Sequence, residues 1–481
     1  MDRRGVSSRW RRNAIAACAV VCALGATLIS AGGGAGATTF ANTNDSIWQT
    51  VGGDVRALAE GDSVIFVGGS FTGVRADADA PVTNKARLVA LDAVTGEPVT
   101  SFVPQLNGGV RALALSADGD MLYVGGTFST VNGEARRGIV ALDPLTGATL
   151  PGFVAQANND VLDLALDGDD LYLAGRFWNI NDVNREKVAR VDATSGLLDA
   201  GWSPRSDDGT ILSVAVDPIL DRVYVGGFFS GIDGVADSGR LAAIDRSTGA
   251  VISSFDPNPE GEVYDILARP GRLYAAAGGP GGRVEILDTA TGDRIQSLFG
   301  DGDLQVLTEA GLDIIAGGHQ ETGLGIGTPV SPVARIGGID DAVDPVFGPS
   351  LTTSEGIGIW ALLVTDTHLW VGGAITAASP VDAAGIARYP VVATRSPPRR
   401  CRRIWPSAAS AMSPSPSNGP RRPMTVPSSS TSSAATASPW VPLGRRPSST
   451  RPSHRRPPTT TPSPRSTWSG TNLLRPRPSR R

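Results

Sequence analysis

Apolar residues along this chain come in short runs, and within many of them apolar positions alternate with small or polar ones. That period of two marks half-buried β-strands, and no stretch of the body carries the 3.6-residue period of a helix. The clearest run is Leu122-Tyr123-Val124-Gly125-Gly126-Thr127-Phe128, and six other segments copy it closely or loosely. Aligned on the second glycine, the copies fall at Gly69, Gly126, Gly175, Gly227, Gly279, Gly318 and Gly373. A recurrence of about fifty residues is the period of propeller blades. In the second copy, Val110 to Leu115 predicts one strand and Leu122 to Val124 a second. Ile139 to Asp143 predicts a third and Leu150 to Phe153 a fourth. Four short antiparallel strands joined by turns make one blade.

Turn chemistry supports this grammar. Asp92 to Gly96 recurs as Asp143 to Gly147, Asp192 to Gly196, Asp245 to Gly249 and Asp288 to Gly292. An aspartate there accepts backbone N–H bonds and the glycine supplies a positive φ. Too few oxygens lie at the spacing of a calcium loop to read these turns as metal sites. Small residues alternate along the first strand of each copy (Val55, Ala57, Ala59; Val110, Ala112, Ala114), as a crowded strand beside a central channel requires. The opposite set, Leu58, Leu113, Leu164, Val214, Ile266 and Leu362, is expected to fill the space between blades. The seventh copy lacks its fourth strand, so the upstream segment Ile47-Trp48 is predicted to supply it and hide two strand edges.

Composition sharpens the picture. The 481 residues hold 59 glycines and four methionines, in keeping with many short strands and tight turns. Residues 392–481 carry 17 Arg, 18 Pro and 19 Ser with no Asp, Glu or Lys, leaving 26 Lys and Arg against 47 Asp and Glu before them. An acidic body of that kind argues against nucleic acid as a partner. None of the three cysteines (Cys18, Cys22, Cys401) lies between residues 38 and 391, so the body has no disulfide, thiolate metal site or cysteine nucleophile. At the N-terminus a basic head, the apolar run Ala14 to Ile29 and Ala35-Gly36-Ala37 read as an export signal over 1–37. The run is shorter than the roughly 20 residues of a membrane span. A secreted or cell-surface protein is the expectation.

The Leu-Tyr-Val-Gly-Gly-x-Phe motif, the loop Val131-Asn132-Gly133, the Ala-Leu-Asp-x-x-Thr-Gly turn and the end Phe255-Asp256-Pro257 together resemble the delta-sixty repeat family, over residues 46 to about 390. The resemblance implies a secreted bacterial β-propeller, commonly joined to cell-surface modules. Copies five and six fit it least, since Gly278 to Gly282 and His319 replace the phenylalanine segment. The chain is also similar to quinoprotein and kelch propellers. The paired cysteines of a quinone-dependent dehydrogenase and the Tyr–Cys cross-link of a galactose-oxidase-like site have no cysteine here to form them. The tail from 392 reads as disordered and non-native. Back-translated with GC-rich codons and read one base earlier, Ser463 to Asn472 becomes V-A-A-V-D-V-V-G-N-E, and two upstream fragments in the same frame also alternate like strands. The shifted string resembles a fibronectin type III domain.

Candidate binding residues are those that break the repeat around the channel mouth: Arg56, Arg111, Tyr264 and Trp360 early in their first strands, with Trp178 and His319 in the neighbouring loops. Aromatic and arginine groups at a mouth can stack on and hydrogen-bond a sugar or peptide. Tyr264 and Trp360 stand where Leu162 and Leu212 do, which favours packing between blades for those two; His319 has no metal-spaced partner. No nucleophile motif, phosphate loop or singled-out carboxylate pair argues for catalysis. The sequence thus predicts an all-β, seven-bladed β-propeller over 38–391. It is expected to act as a monomeric, non-catalytic binding or scaffold module for an extracellular glycan, cell-wall polymer or protein. No metal, cofactor or stable membrane span is expected, and a polysaccharide-active enzyme or its accessory subunit is the alternative.

Overall fold

The computed structural model describes residues 38–392, apart from 47, 236–237, 280, 321–322, 326–329, 355–357 and 382. The export signal, Cys401 and the shifted-frame fibronectin reading lie outside these residues. Val392 is described, and it ends the strand Ile386–Val392 one position beyond the expected boundary. Among the described residues the protein is all-β, without an α-helix, and neighbouring strands pair antiparallel.

Each repeat contributes one sheet. The innermost strands are Val55–Glu60, Val110–Leu115, Val161–Asp167, Thr210–Asp217, Val263–Arg269, Leu304–Ala310 and Ile359–Val364. Each pairs with a middle strand carrying the Leu-Tyr-Val-Gly-Gly motif or its variant, which in turn pairs with a third strand. Each inner strand packs against that of the next repeat, and the seventh packs against the first.

Among the described residues the expected fourth strand forms in full only where repeat five adds Arg294–Phe299, and repeat seven gains a two-residue strand from upstream. In repeats one to four and six it shrinks to single bridges, such as Leu91 with Pro98 and Leu142 with Thr149. In repeats one to four, beyond the bridge, an aromatic anchor packs on the middle strand. Phe102 lies 5.3 Å from Phe66, Phe153 5.6 Å from Tyr123, Trp202 5.3 Å from Tyr172 and Phe255 5.4 Å from Tyr224. Burying such a ring is worth about 2–3 kcal/mol, more than the one or two further ladder bonds a longer strand would add at about 1 kcal/mol each.

The N-terminal segment does lie on the outer edge of the seventh sheet, but not through the residues expected. Thr39–Phe40 pairs with Val391 and Val392. Further along, Asp45 donates its N–H to the Arg388 carbonyl at 3.2 Å, as Val99 does to Ala90 in repeat one. Trp48 is not in a strand; it packs beside Trp370 and Ile386, filling the slot Phe102 fills in the first sheet. Ile47 lies outside the described residues. Trp48 stands to the seventh sheet as Phe102 stands to the first, in the packing slot rather than in the ladder.

The glycine pair of the motif is not a turn. Gly125 and Gly126 belong to the strand Leu122–Gly126, and neither adopts positive φ. The first glycine makes room for the neighbouring repeat. A Cβ at Gly68 would sit 2.5 Å from Val110 Cγ1, one at Gly125 3.0 Å from Val161 Cγ1, and one at Gly372 2.5 Å from Val55 Cγ1. The second lets the repeat's own inner strand cross closely, since a Cβ at Gly126 would land on the Gly109 carbonyl oxygen. In repeat five the ladder pairs Val263 with Ala277 and Asp265 with Ala276, so Ala276-Ala277, not Gly278-Gly279, hold these places. The copy is shifted by two from the alignment on Gly279.

The aspartate turns form as read. Asp143 accepts N–H bonds from Leu145 and Thr146 at 2.9 and 2.8 Å and the Thr146 hydroxyl at 2.9 Å, with Gly147 at φ 76°.

Candidate functional site: a cavity ringed by seven bulges

Every inner strand carries a β-bulge at the same place. The register slips between Val55 and Ala57, Val110 and Ala112, Val161 and Asp163, Ile211 and Ser213, Val263 and Asp265, Leu304 and Val306, and Ile359 and Ala361. A bulge leaves one residue outside the ladder and re-aims its side chain. Those residues are Arg56, Arg111, Leu162, Leu212, Tyr264, Gln305 and Trp360, and all seven line one cavity of about 400 Å³. The side chain that each repeat spends on the cavity is therefore set by one position, which is two cationic, two aromatic, two aliphatic and one amide across the molecule.

Four of the expected residues thus meet at one place. Tyr264 and Trp360, for which packing between blades was favoured, line the cavity instead, because the bulge turns them out of the alternation that a straight strand would impose. Their rings lie 6.4 Å apart, edge to face. The Arg56 guanidinium stacks 4.0 Å over the Trp360 ring and pairs with Asp54 at 2.8 Å. Burial, then the charge of Arg111, lowers the Arg56 pKa from its ordinary value. Arg176 joins the lining from the neighbouring loop, 3.7 Å from Asp160.

Trp178 and His319 are not in the lining. Trp178 is 49% exposed, but its ring face is covered by the Lys187 ammonium at 3.4 Å, so it caps a buried cation. His319 accepts the Asp303 N–H at 3.4 Å and lies 3.5 Å from the Gln305 amide, which places it behind the cavity wall.

Beneath the bulges lies a second layer: Ala57, Ala112, Asp163, Ser213, Asp265, Val306 and Ala361. Three consecutive repeats put polar groups where the other four put small or apolar ones. Asp163 accepts the N–H of Val214 in the next repeat at 2.8 Å, and Asp265 accepts that of Leu307 at 2.7 Å. The Ser213 hydroxyl donates to Asp265 at 3.1 Å and accepts the Ile266 N–H at 3.2 Å. Each carboxylate also takes the N–H of its following residue at 2.8 Å. Both are enclosed by protein while keeping some surface toward the cavity. Burial pushes Asp163 up to about 6, and burial with the nearby Asp163 charge pushes Asp265 up to about 7. Sequence reasoning missed this pair. The available signal was aspartate at the one inner-strand position where Ala57, Ala112 and Ala361 stand elsewhere. Among the described residues no group of three or more His, Cys, Asp or Glu could hold a metal ion, and no helix is long and apolar enough to cross a membrane.

No known family profile matches the chain, and no curated protein does. Among solved structures, the WD40 β-propeller domain of Doa1 superposes with a TM-score of 0.47 at 13% identity, over 72% of this chain and 98% of its own. The computationally designed Ika8 protein superposes at 0.45 with 15% identity, over 73% of this chain and 100% of its own.

Proposed function

We propose that this chain is a seven-bladed β-propeller of the delta-sixty repeat type, closed by its N-terminal strand. In this reading it is exported to the cell surface or beyond and acts as a monomeric, non-catalytic module that binds a ligand at its central cavity. The observation that carries the reading is the convergence of one bulge residue from each of the seven inner strands on a single cavity. The succession of inner strands, returning from the seventh to the first, supports the blade count and the closure. Chemistry at the cavity is uneven where the fold is regular, and it is the kind that recognises: guanidinium, aromatic face, amide. An extracellular glycan, a cell-wall polymer or a protein segment fits it. A glycan and cell-wall binding screen with the full chain, repeated with Trp360→Leu, tests this. Binding that Trp360→Leu weakens at least tenfold is the expected result; binding indifferent to it would move the site elsewhere.

Asp163 and Asp265 favour a second reading, a polysaccharide-active enzyme, since two carboxyls with raised pKa in one cavity could divide acid and base roles. Both are already committed to backbone N–H groups, which is the geometry of a clamp between strands. Incubation with a glycan panel and product analysis separates the readings: product formation abolished by Asp265→Asn would establish the enzyme.

A further inference from the structure

We infer that the ligand of the central cavity is an acidic sugar, its carboxylate held by Arg111, its ring against Trp360 and a hydroxyl on Gln305. This rests on the reading of the cavity as a binding site and adds the chemical class of what binds there.

Three independent features of the lining define that class. Arg111 forms no ion pair or hydrogen bond among the described residues, although it lies close enough to Arg56 to disfavour that guanidinium's charge. Arg56 is already matched to Asp54, and the two carboxylates of the lining, Asp163 and Asp265, are held by backbone N–H groups and the Ser213 hydroxyl, so Arg111 is the cation whose donors stand open to an anion from outside. Arginine binds carboxylates through two parallel N–H donors, so a planar anion suits it. The site also stands out against its surroundings. The chain before residue 392 carries 47 acidic against 26 basic residues, whereas this cavity is lined by Arg56, Arg111 and Arg176 against Asp163 and Asp265.

Gln305 supplies the second feature. It is 7% exposed and lines the cavity, and its amide lies 3.5 Å from His319 Nδ1. Because His319 Nε2 accepts the Asp303 N–H, Nδ1 carries the ring proton and the Gln305 carbonyl oxygen accepts it, which leaves the amide NH2 without an acceptor among the described residues. A buried amide donor without an acceptor costs about 1–3 kcal/mol, and a ligand hydroxyl oxygen would remove that cost. The third feature is the aromatic pair. Trp360 and Tyr264 stand edge to face; with one face of Trp360 under the Arg56 guanidinium, the ring surface that the pair still presents to the cavity lies next to polar groups, as the C–H face of a pyranose requires. A carboxylate, hydroxyls and one apolar face occur together in a uronic acid. A simple anion lacks the last two, and a neutral sugar lacks the first.

The test titrates the full chain with a short oligogalacturonide, with its neutral galactose counterpart and with sodium acetate, by calorimetry at low and moderate salt. The acidic oligosaccharide is expected to bind at least tenfold tighter than the neutral one, and its affinity to fall as salt rises. Arg111→Gln should abolish that preference and most of the salt dependence. Arg111 has no partner to lose, so its replacement leaves the fold intact, and an unchanged thermal midpoint verifies this. Arg111→Lys should restore salt-dependent binding in part. Equal affinity for the acidic and neutral sugars, still dependent on Trp360, would overturn the acidic class and leave the cavity reading standing. Acetate binding as tightly as the oligosaccharide would overturn the sugar. Binding of the acidic sugar that neither Arg111→Gln nor Trp360→Leu alters would overturn both.

Discussion

Asp163 and Asp265 each tie two repeats together by accepting the next inner strand's N–H, and they do so from a site that disfavours their charge. The outcome is a definite pH dependence. An unfolded aspartate titrates near 3.9, whereas burial moves these two up to about 6 and about 7. A carboxyl raised in the folded state favours folding fully below about pH 4 and loses that contribution as pH climbs through its folded value. Stability should therefore decline between about pH 4 and 7, by at most about 1.4 kcal/mol per pH unit for each group. The turn aspartates act in the opposite sense: the Thr248 and Ser247 hydroxyls, with the backbone N–H groups of both, hold Asp245 down to about 2. Its contribution stands above pH 4 and is lost as pH falls toward 2. Urea midpoints measured from pH 4 to 8 should fall with rising pH in the wild type and flatten in Asp265→Asn. A wild-type profile that rises over that range would refute the assignment.

At the scale of the strand, the two glycines of the middle-strand motif perform different tasks, and substitution should separate them. In Gly125→Ala the new methyl meets Val161 Cγ1 at 3.0 Å, a side chain that can yield by a few tenths of an ångström. In Gly126→Ala it meets the Gly109 carbonyl, and moving it means moving the inner strand at its bulge. Overpacking costs about 1–3 kcal/mol, so Gly125→Ala should fall at the low end and Gly126→Ala at or beyond the high end by chemical denaturation; the reverse order would contradict this account. The same pair shows what is legible in the sequence. Leu122 to Phe128 announces a strand because its pattern is periodic, and Asp143 to Gly147 announces a turn because its donors and acceptors are local. The bulge is less visible. Arg56, Arg111, Tyr264 and Trp360 can be aligned, yet only strand pairing shows that they leave the ladder and meet. Asp163 and Asp265 stay hidden among many carboxylates, since what sets them apart is a neighbour 51 residues away (Val214) and one 42 residues away (Leu307). The shift at Ala276-Ala277 has a similar origin, because Gly278-Gly279 copies the motif's letters while hydrogen bonding obeys its position.

For the whole molecule, the sheets are held by contacts repeated from one to the next, and the outer edge of the seventh sheet is completed where Thr39–Phe40 meets Val391 and Val392. That added strand is held by few residues. Thr39 and Phe40 pair with Val392 and Val391, the Phe40 ring lies 5.9 Å from Phe347, and Arg335 donates to the Thr38 carbonyl at 2.8 Å. The Arg388 guanidinium reaches the Val94 carbonyl at 3.1 Å, linking the seventh sheet to the first. Thr38 directly follows the expected cleavage site at Ala37, so export processing would deliver the strand at the very end of the mature chain. A chain beginning at Asn42 would lack it and expose the edge of Ile386–Val392, an invitation to pairing between molecules. Such a chain should unfold at a lower temperature than one beginning at Thr38 and aggregate faster on warming. Phe40→Ala in the longer chain should cost about 3 kcal/mol, reproducing the loss of stability without the exposed edge. If the two chain lengths unfold at the same temperature, the N-terminal strand does not hold the ring, and the packing of the seventh inner strand on the first, with the Asp45, Trp48 and Arg388 contacts, is sufficient.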